Sequence, residues 1–252
     1  DQMGEVEYAP YEPRGTSWHP HRGFETFTYM IDGTFQHQDS HGGGGTIQDG
    51  ATQYMTAGSG VLHIETPPDA LVMSGGIFHG IQLWINLPSH KKMSDPAYQS
   101  LEGNDVALVS SQDGGALVRV LAGEIGGHVG PGKSQTPMTV AHITLAPGAS
   151  VSIPWNPEFN ALAYTLAGSG RAGEQGPGTS SAPISTGAMA VMVNGDRIVL
   201  TADQVQDSRH NALEIFLIGG EPIKETVVAY GPFVMNTKEE IVQAMEDYNY
   251  GR

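Results

Sequence analysis

Residues 24–31 read Phe-Glu-Thr-Phe-Thr-Tyr-Met-Ile and alternate in the period of two that a β-strand requires. Asp32-Gly33 follows at once, the dipeptide a tight hairpin prefers, and Thr34 to Asp39 reads as the returning strand. The same signature returns later in the chain. Phe27-Thr28-Tyr29-Met30-Ile31-Asp32-Gly33 matches Leu162-Ala163-Tyr164-Thr165-Leu166-Ala167-Gly168, a constant offset of 135 positions. A chain that repeats a strand and its turn at that distance reads as two copies of one β-fold. With 34 glycines and 16 prolines in 252 residues, many short strands joined by turns are expected.

The remaining segments fit this plan. Strands are expected at Ile47 to Thr56, Val61 to Thr66, Leu71 to Ser74 and Ile77 to Leu87, with a linker or short helical crossover over residues 88 to 105. Strands resume at Val106 to Ser110 and Ala116 to Gly123, a Gly/Pro-rich loop spans 124 to 137, and a second set of strands runs from Met138 to Glu221. Near the end, Thr237 with Glu240 makes a capping box ahead of the apolar stripe Ile241, Ala244, Met245 and Tyr248, which predicts a helix to about Tyr248. This helix is expected to pack on a barrel wall and carry no chemistry.

Composition excludes several function classes. The net charge of −15 is the wrong sign for direct nucleic-acid binding. No run of 18 apolar residues marks a membrane span, no signal peptide is visible, and the chain has no cysteine, so a cytoplasmic protein without disulfides is expected. The start at Asp1 rather than Met leads to the expectation of an upstream segment. Gly168-Ser169-Gly170-Arg171-Ala172-Gly173 spells G-x-G-x-x-G, but Glu174, Gly176, Pro177 and Gly178 cannot open the helix a dinucleotide needs. It reads as a hairpin tip.

Two segments carry chemistry. His19 and His21 are two positions apart, as are His63 and Glu65, and side chains at that spacing share one face of a strand. Together they offer three imidazoles and a carboxylate to one divalent ion, a set that with open positions suits non-heme Fe(II). The offset of 135 carries His19, His21 and Glu25 onto Pro154, Asn156 and Asn160, so the second copy is read as having lost its site. His37 and His41, beside the glycines at 42 to 45, read as solvated loop residues, and His128, His142 and His210 as structural or solvated.

Four stretches, His19-Pro-His-Arg-Gly-Phe-Glu-Thr26, Gln53-Tyr-Met-Thr-Ala-Gly-Ser-Gly60, His79-Gly-Ile-Gln-Leu-Trp-Ile-Asn-Leu-Pro88 and Tyr230-Gly-Pro-Phe-Val-Met-Asn-Thr237, resemble the pirin family of the cupin superfamily. The resemblance implies an all-β protein of two tandem cupin (double-stranded β-helix, jelly-roll) barrels with a short C-terminal helix. The first barrel, residues 1–105, would bind the metal; the second, 106–252, would lack it and end in the helix. The implied ligands are His19, His21, His63 and Glu65. The general cupin pattern draws its carboxylate from Glu25 instead, which lies on the strand parity of His21 and is otherwise expected near the pocket, orienting a histidine. Iron(II) is the implied ion, with nickel, manganese, cobalt, copper or zinc as other occupants. Some pirins resemble quercetin 2,3-dioxygenases, so a flavonol-like aromatic substrate and O2 are expected, with Glu65 or Glu25 taking a proton and Met55, Phe24 and Trp84 lining the pocket. The alternative the resemblance offers is a metal- and redox-dependent regulator that binds transcription factors or metabolic enzymes.

Overall fold

The computed structural model describes residues 1–174, 176, 179–193 and 195–251. The chain divides into two compact units, Asp1–Asn104 with Ile223–Arg252, and Asp105–Pro222. No helix among the described residues is long and apolar enough to cross a membrane.

The first unit holds strands β1 (Gln2–Tyr8), β2 (His19–His21), β3 (Phe24–Asp32), β4 (Phe35–Asp39), β5 (Gly44–Ile47), β6 (Thr52–Thr56), β7 (Val61–Thr66), β8 (Gly76–Asn86) and β9 (Ala97–Leu101). They form a five-stranded sheet in the order β1-β8-β3-β6-β9 and a four-stranded sheet in the order β2-β7-β4-β5. Consecutive strands therefore mostly fall in different sheets, which is the jelly-roll manner of closing a barrel. This overturns the hairpin expected at Asp32-Gly33. Strand β3 pairs with β6 and β8, whereas β4 pairs with β5 and β7. Gly33 instead carries the chain round a corner between sheets, at φ +101° and with its N–H bonded to Asp49 Oδ1 at 2.6 Å. An added Cβ there would meet the Ile77 carbonyl at 2.6 Å, so the residue the turn demands is the one the corner demands.

Other boundaries moved for similar reasons. Residues 47–56 are broken by a turn between β5 and β6, and residues 71–74 belong to a short helix, α1 (Asp69–Ser74), rather than a strand. The stretch read as a linker or short helical crossover has 3-10 turns at Ser89–Lys91 and Gly103–Asp105, and between them β9, which pairs along β6 from Thr52 to Thr56.

The second unit holds β10 (Ala107–Ser110), β11 (Ala116–Ala122), β12 (Glu124–Ile125), β13 (His128–Val129), β14 (Met138–Leu145), β15 (Ser150–Pro154), β16 (Asn160–Ala167), β17 (Ser169–Gly173), β18 (Ser181–Ser185), β19 (Met189–Val191), β20 (Arg197–Ala202) and β21 (Leu213–Gly220). A six-stranded sheet, β10-β11-β14-β21-β16-β19, faces a four-stranded one, β15-β20-β17-β18. Val118, Ile143, Ile153, Ile198, Leu200, Ile215 and Leu217 fill the space between them, each such side chain contributing about 1.5–3 kcal/mol by leaving water. The G-x-G-x-x-G motif lies in β17 after the turn at Gly168, and the described residues beyond it open no helix. Pro177 and Gly178 lie outside the described residues.

The repeat is visible in the strand register. Thr26 faces Trp84 in the first unit and Ala161 faces Gly219 in the second, both related by 135 positions.

The C-terminal segment corrects the expected division at 106–252, because Ile223–Arg252 belongs to the first unit. It contains β22 (Val228–Tyr230), β23 (Phe233–Met235) and α2 (Lys238–Asn249). Thr237 accepts from the Glu240 N–H while the Glu240 carboxylate accepts from the Thr237 N–H, so the capping box forms as expected. Ile241 and Ala244 bury against Phe233 and Met235, whereas Met245 and Tyr248 remain largely exposed. The helix therefore packs on its own preceding strand pair, and the tail is tied to the first unit through the Val234 N–H on the Arg22 carbonyl, the Lys92 ammonium on the Val234 carbonyl and the Arg22–Asp247 ion pair.

Candidate metal centre

Strands β2 and β7 pair antiparallel with His19 opposite His63 and His21 opposite Val61. Period-two alternation turns His19, His21, Val61, His63 and Glu65 to the barrel interior, and β7 shows it as burial at every second residue. The three rings come together, with centroids 4.8 Å apart for His19 and His21, 4.3 Å for His19 and His63, and 4.8 Å for His21 and His63. One ligand nitrogen from each lies within 4.8 Å of the others.

Hydrogen bonding prepares these nitrogens to bind a cation. His19 Nδ1 contacts the Ser17 carbonyl at 2.8 Å, and a carbonyl only accepts, so Nδ1 carries the proton and Nε2 keeps its lone pair. His21 Nδ1 and both nitrogens of His63 are buried with no hydrogen-bond partner. Orphaned polar atoms of this kind cost about 1–3 kcal/mol each unless something else engages them. Burial, and then the neighbouring histidines, hold His63 down to about 3 and His21 to about 4. Opposing this for His21 is the bond its ring N–H donates to the Pro232 carbonyl, the one backbone polar group proline has. The His21 and His63 rings are thus neutral lone-pair donors at physiological pH. The residues present fit a divalent first-row metal.

Glu65 is buried on the same strand face, opposite His37 of β4, but the clustered ligand atoms are those of the three histidines. Its Oε1 accepts from Gln82 Nε2 at 2.8 Å, and the same amide donates to Thr28 Oγ1 at 3.1 Å. Burial raises the Glu65 carboxyl to about 7 against the opposing pull of Gln82.

Glu25 does not share the parity of His21. Gly23, at φ +86°, ends the strand between them. Phe24 therefore faces the histidines, its ring 5.0 Å from His21 and 4.4 Å from Trp84. Glu25 points to the other face of β3, fully buried, where it accepts from Tyr54 Oη at 2.8 Å and Thr56 Oγ1 at 2.7 Å. Trp84 also lies 5.2 Å from His21 and is 49% exposed, so the indole stands at the edge of the site and open to solvent. Met55 pairs with Thr26 on the inner face and accepts from Tyr98 Oη at 2.8 Å. The structure thus brings Phe24, Trp84 and Met55 to the inner face with the histidines.

Four residues near the site escaped the sequence reading: His37, Asp39, Gln82 and Tyr98. His37 is not a solvated loop residue; it is buried on β4, its ring stacked on Tyr98 at 5.4 Å, and His41 alone of that pair is exposed. The signal was present in the strand pattern, since Phe35, His37 and Asp39 alternate with exposed Gln36 and Gln38.

The second barrel has no such cluster among its described residues. Ile153 faces Ile198 where His19 faces His63, so the histidine strand aligns at an offset of 134 and not 135. The Trp155 N–H bonds the Asp196 carbonyl, the counterpart of the His21 and Val61 pair. Ile153, Trp155, Ile198 and Leu200 thus replace His19, His21, His63 and Glu65, and a residue added in the turn at 156–159 restores the register.

Two jelly-roll barrels in tandem, the first with clustered imidazoles on its inner face, define the cupin class. Residues 1–85 match the family described as Pirin, and residues 140–252 match the Pirin C-terminal cupin domain. The chain belongs to the pirin family. It is 41% identical over 98% of its length to Pirin-like protein 2 of Arabidopsis thaliana, covering 73% of that protein. To Pirin of Homo sapiens it is 37% identical over 96% of its length, covering 79% of that protein. The crystal structure of a quercetin 2,3-dioxygenase from Acinetobacter baumannii superposes with a TM-score of 0.90 at 34% identity, over 99% of this chain and 83% of that one.

Proposed function

We propose that the chain is an iron(II)-dependent oxygenase that opens a flavonol-like substrate with O2. The observation that supports this most is the cluster of three imidazoles, two of them buried, beside an aromatic wall. The resemblance to the Acinetobacter baumannii quercetin 2,3-dioxygenase supports the substrate class.

In this reading His19, His21 and His63 hold the ion and Glu65 completes the set. Bound there, a ferrous ion would supply Lewis acidity toward the substrate hydroxyl and redox chemistry toward O2. The residues do the rest. Trp84, half exposed beside His21, presents the ring against which a flat substrate stacks, and Phe24, fully buried at 4.4 Å from the indole, backs it. Glu65, buried on the same strand face as His63, would accept the proton of the substrate hydroxyl. Gln82, anchored on Thr28, fixes the orientation of that carboxylate. Glu25 faces away and takes no part in the proton transfer.

The test is anaerobic loading with Fe(II), verified by elemental analysis, followed by quercetin and O2. Decay of the flavonol absorbance, absent in His63→Ala, is the expected result. A fully loaded protein that leaves quercetin intact in the presence of O2 refutes the reading.

A further inference from the structure

We propose a second, metal-free binding site at the mouth of the second barrel, which takes a flat, uncharged aromatic molecule bearing an oxygen acceptor. The cavity there has a volume of about 720 Å³, within the range of small-molecule pockets. Trp155, Phe159, Met138 and Val129 give it apolar and aromatic walls, and Asn156 adds a polar group. One cation, Lys133, and one carboxylate, Glu124, also line it, so their charges offset and an ionic ligand gains nothing over a neutral one.

Trp155 decides the chemistry. It occupies the position of His21 in the first barrel, and the other three ligand positions hold Ile153, Ile198 and Leu200. No metal ligand remains among these four. The indole of the first pocket comes from Trp84, whose counterpart is Gly219, and a Cβ on Gly219 would lie 2.4 Å from Cζ2 of Trp155. The second barrel therefore lost the indole from β21 and regained one from the segment after β15, against the same strand position. The ring is 91% buried, from a relative exposure of 9%, yet its Nε1 has no hydrogen-bond partner. A buried indole N–H normally finds an acceptor. That N–H is closed off where the ring now lies, so a ligand oxygen supplies the acceptor as the Trp155 ring turns toward the cavity, where the rings of Trp155 and Phe159 stack on the ligand.

The rival account is a trapped water. Trp155 also borders a cavity of about 30 Å³ with Phe159, Met192 and Arg197, the share of liquid volume one water occupies. The two accounts separate in one experiment. Isothermal titration with coumarin, a flat lactone with a carbonyl acceptor, is run on the full chain stripped of metal with EDTA, and again on Trp84→Ala to remove the stacking wall of the first barrel. Binding in the sub-millimolar range is expected in both. Trp155→Phe keeps a ring but deletes the donor and should weaken binding about three- to tenfold, the value of one neutral hydrogen bond. Val129→Arg, at a side chain 66% exposed and so harmless to folding, should abolish binding by filling the mouth. Absence of heat in the wild type overturns the proposal, as does binding that survives Val129→Arg. Binding unchanged by Trp155→Phe also overturns it, because the donor then belongs to the trapped water.

Discussion

Arg22 Nη1 donates to Asp247 Oδ2 at 2.8 Å, tying the residue next to His21 to the last turns of α2. Arg22 Nε also donates to the Ser59 carbonyl at 2.6 Å, and the Val234 N–H bonds the Arg22 carbonyl at 3.1 Å. With the two side chains only 11% and 18% exposed, the ion pair is little screened by water. The helix expected to carry no chemistry therefore braces the strand that presents His21. Asp247→Ala should destabilise the protein by about 1–3 kcal/mol, less than an isolated buried pair because Ser59 still holds the guanidinium. Denaturant unfolding of metal-loaded and chelator-treated protein checks this. A larger loss in the loaded form means the clasp acts through His21; equal losses mean it is structural only.

His63 leaves two buried nitrogens without partners in the metal-free protein. Replacing an unsatisfied buried polar group by an apolar one of similar size removes a desolvation cost of about 1–3 kcal/mol. His63→Leu should accordingly lose the metal while raising the stability of the metal-free chain. The second barrel already carries this exchange, with Ile198 in the corresponding position and inside the apolar core. Elemental analysis with thermal unfolding of the stripped variant is the measurement, and a destabilised apo-variant would count against the frustrated-site argument.

Glu25 separates site from scaffold. Its two carboxylate oxygens accept from Tyr54 and Thr56 on the face of β3 opposite the histidines. Glu25→Gln keeps one acceptor and turns an amide donor toward a hydroxyl, costing about 1–3 kcal/mol. Metal content should be unchanged. A variant that folds but retains no metal would place Glu25 among the ligands after all.

The elements were legible where local pattern and tertiary role agree. The strand Phe24–Asp32, the capping box of α2 and the paired histidines all appear as their residues imply. One error follows from the topology: a jelly roll sends consecutive strands to opposite sheets, so local signals give the strand but not its partner. Asp32-Gly33 marked a turn and was misread as a hairpin. Gly23 broke the parity that linked His21 to Glu25, and no spacing rule counts across a residue at φ +86°. A one-residue insertion after Trp155 likewise hid the true counterparts of His19 and His21. His37 was legible through its alternation with Gln36 and Gln38, but the adjoining glycines suggested a loop.

The second barrel carries a pH-dependent contact of its own. His142 Nε2 and Glu214 Oε2 are 2.7 Å apart, and Thr144 Oγ1 donates to the same oxygen at 2.8 Å while receiving a bond from Arg119. Burial pushes the Glu214 carboxyl up, but the bonds from His142 and Thr144 outweigh it and leave it below its ordinary value of 4.5. A carboxyl depressed on folding contributes stability that is present above the unfolded value and lost as pH falls through the folded one. Wild-type stability should therefore drop on acidification below about 4.5, the ordinary carboxyl value. Glu214→Gln should be weaker at pH 7 and show a shallower drop, read by urea unfolding at several pH values. Parallel curves would remove Glu214 from the acid response.

Trp84 tests the reading of the first pocket as an aromatic substrate site. It pairs with Thr26 on β3, packs at 4.4 Å on Phe24 and leaves half its surface to solvent, so it contributes little to the core. Its truncation should leave metal content and folding nearly intact. A stacked ring of this kind is worth about 0.5–1.5 kcal/mol beyond its buried area, and the area itself adds a comparable amount. Trp84→Ala should then raise KM for quercetin about tenfold or more, while Trp84→Phe recovers most of it. The fall should appear in kcat/KM with kcat much less affected, because the indole holds substrate and moves no proton. A variant that loses kcat at unchanged KM, with iron still bound, would mean that the indole bears on the reacting atoms and that the flavonol lies elsewhere on the inner face.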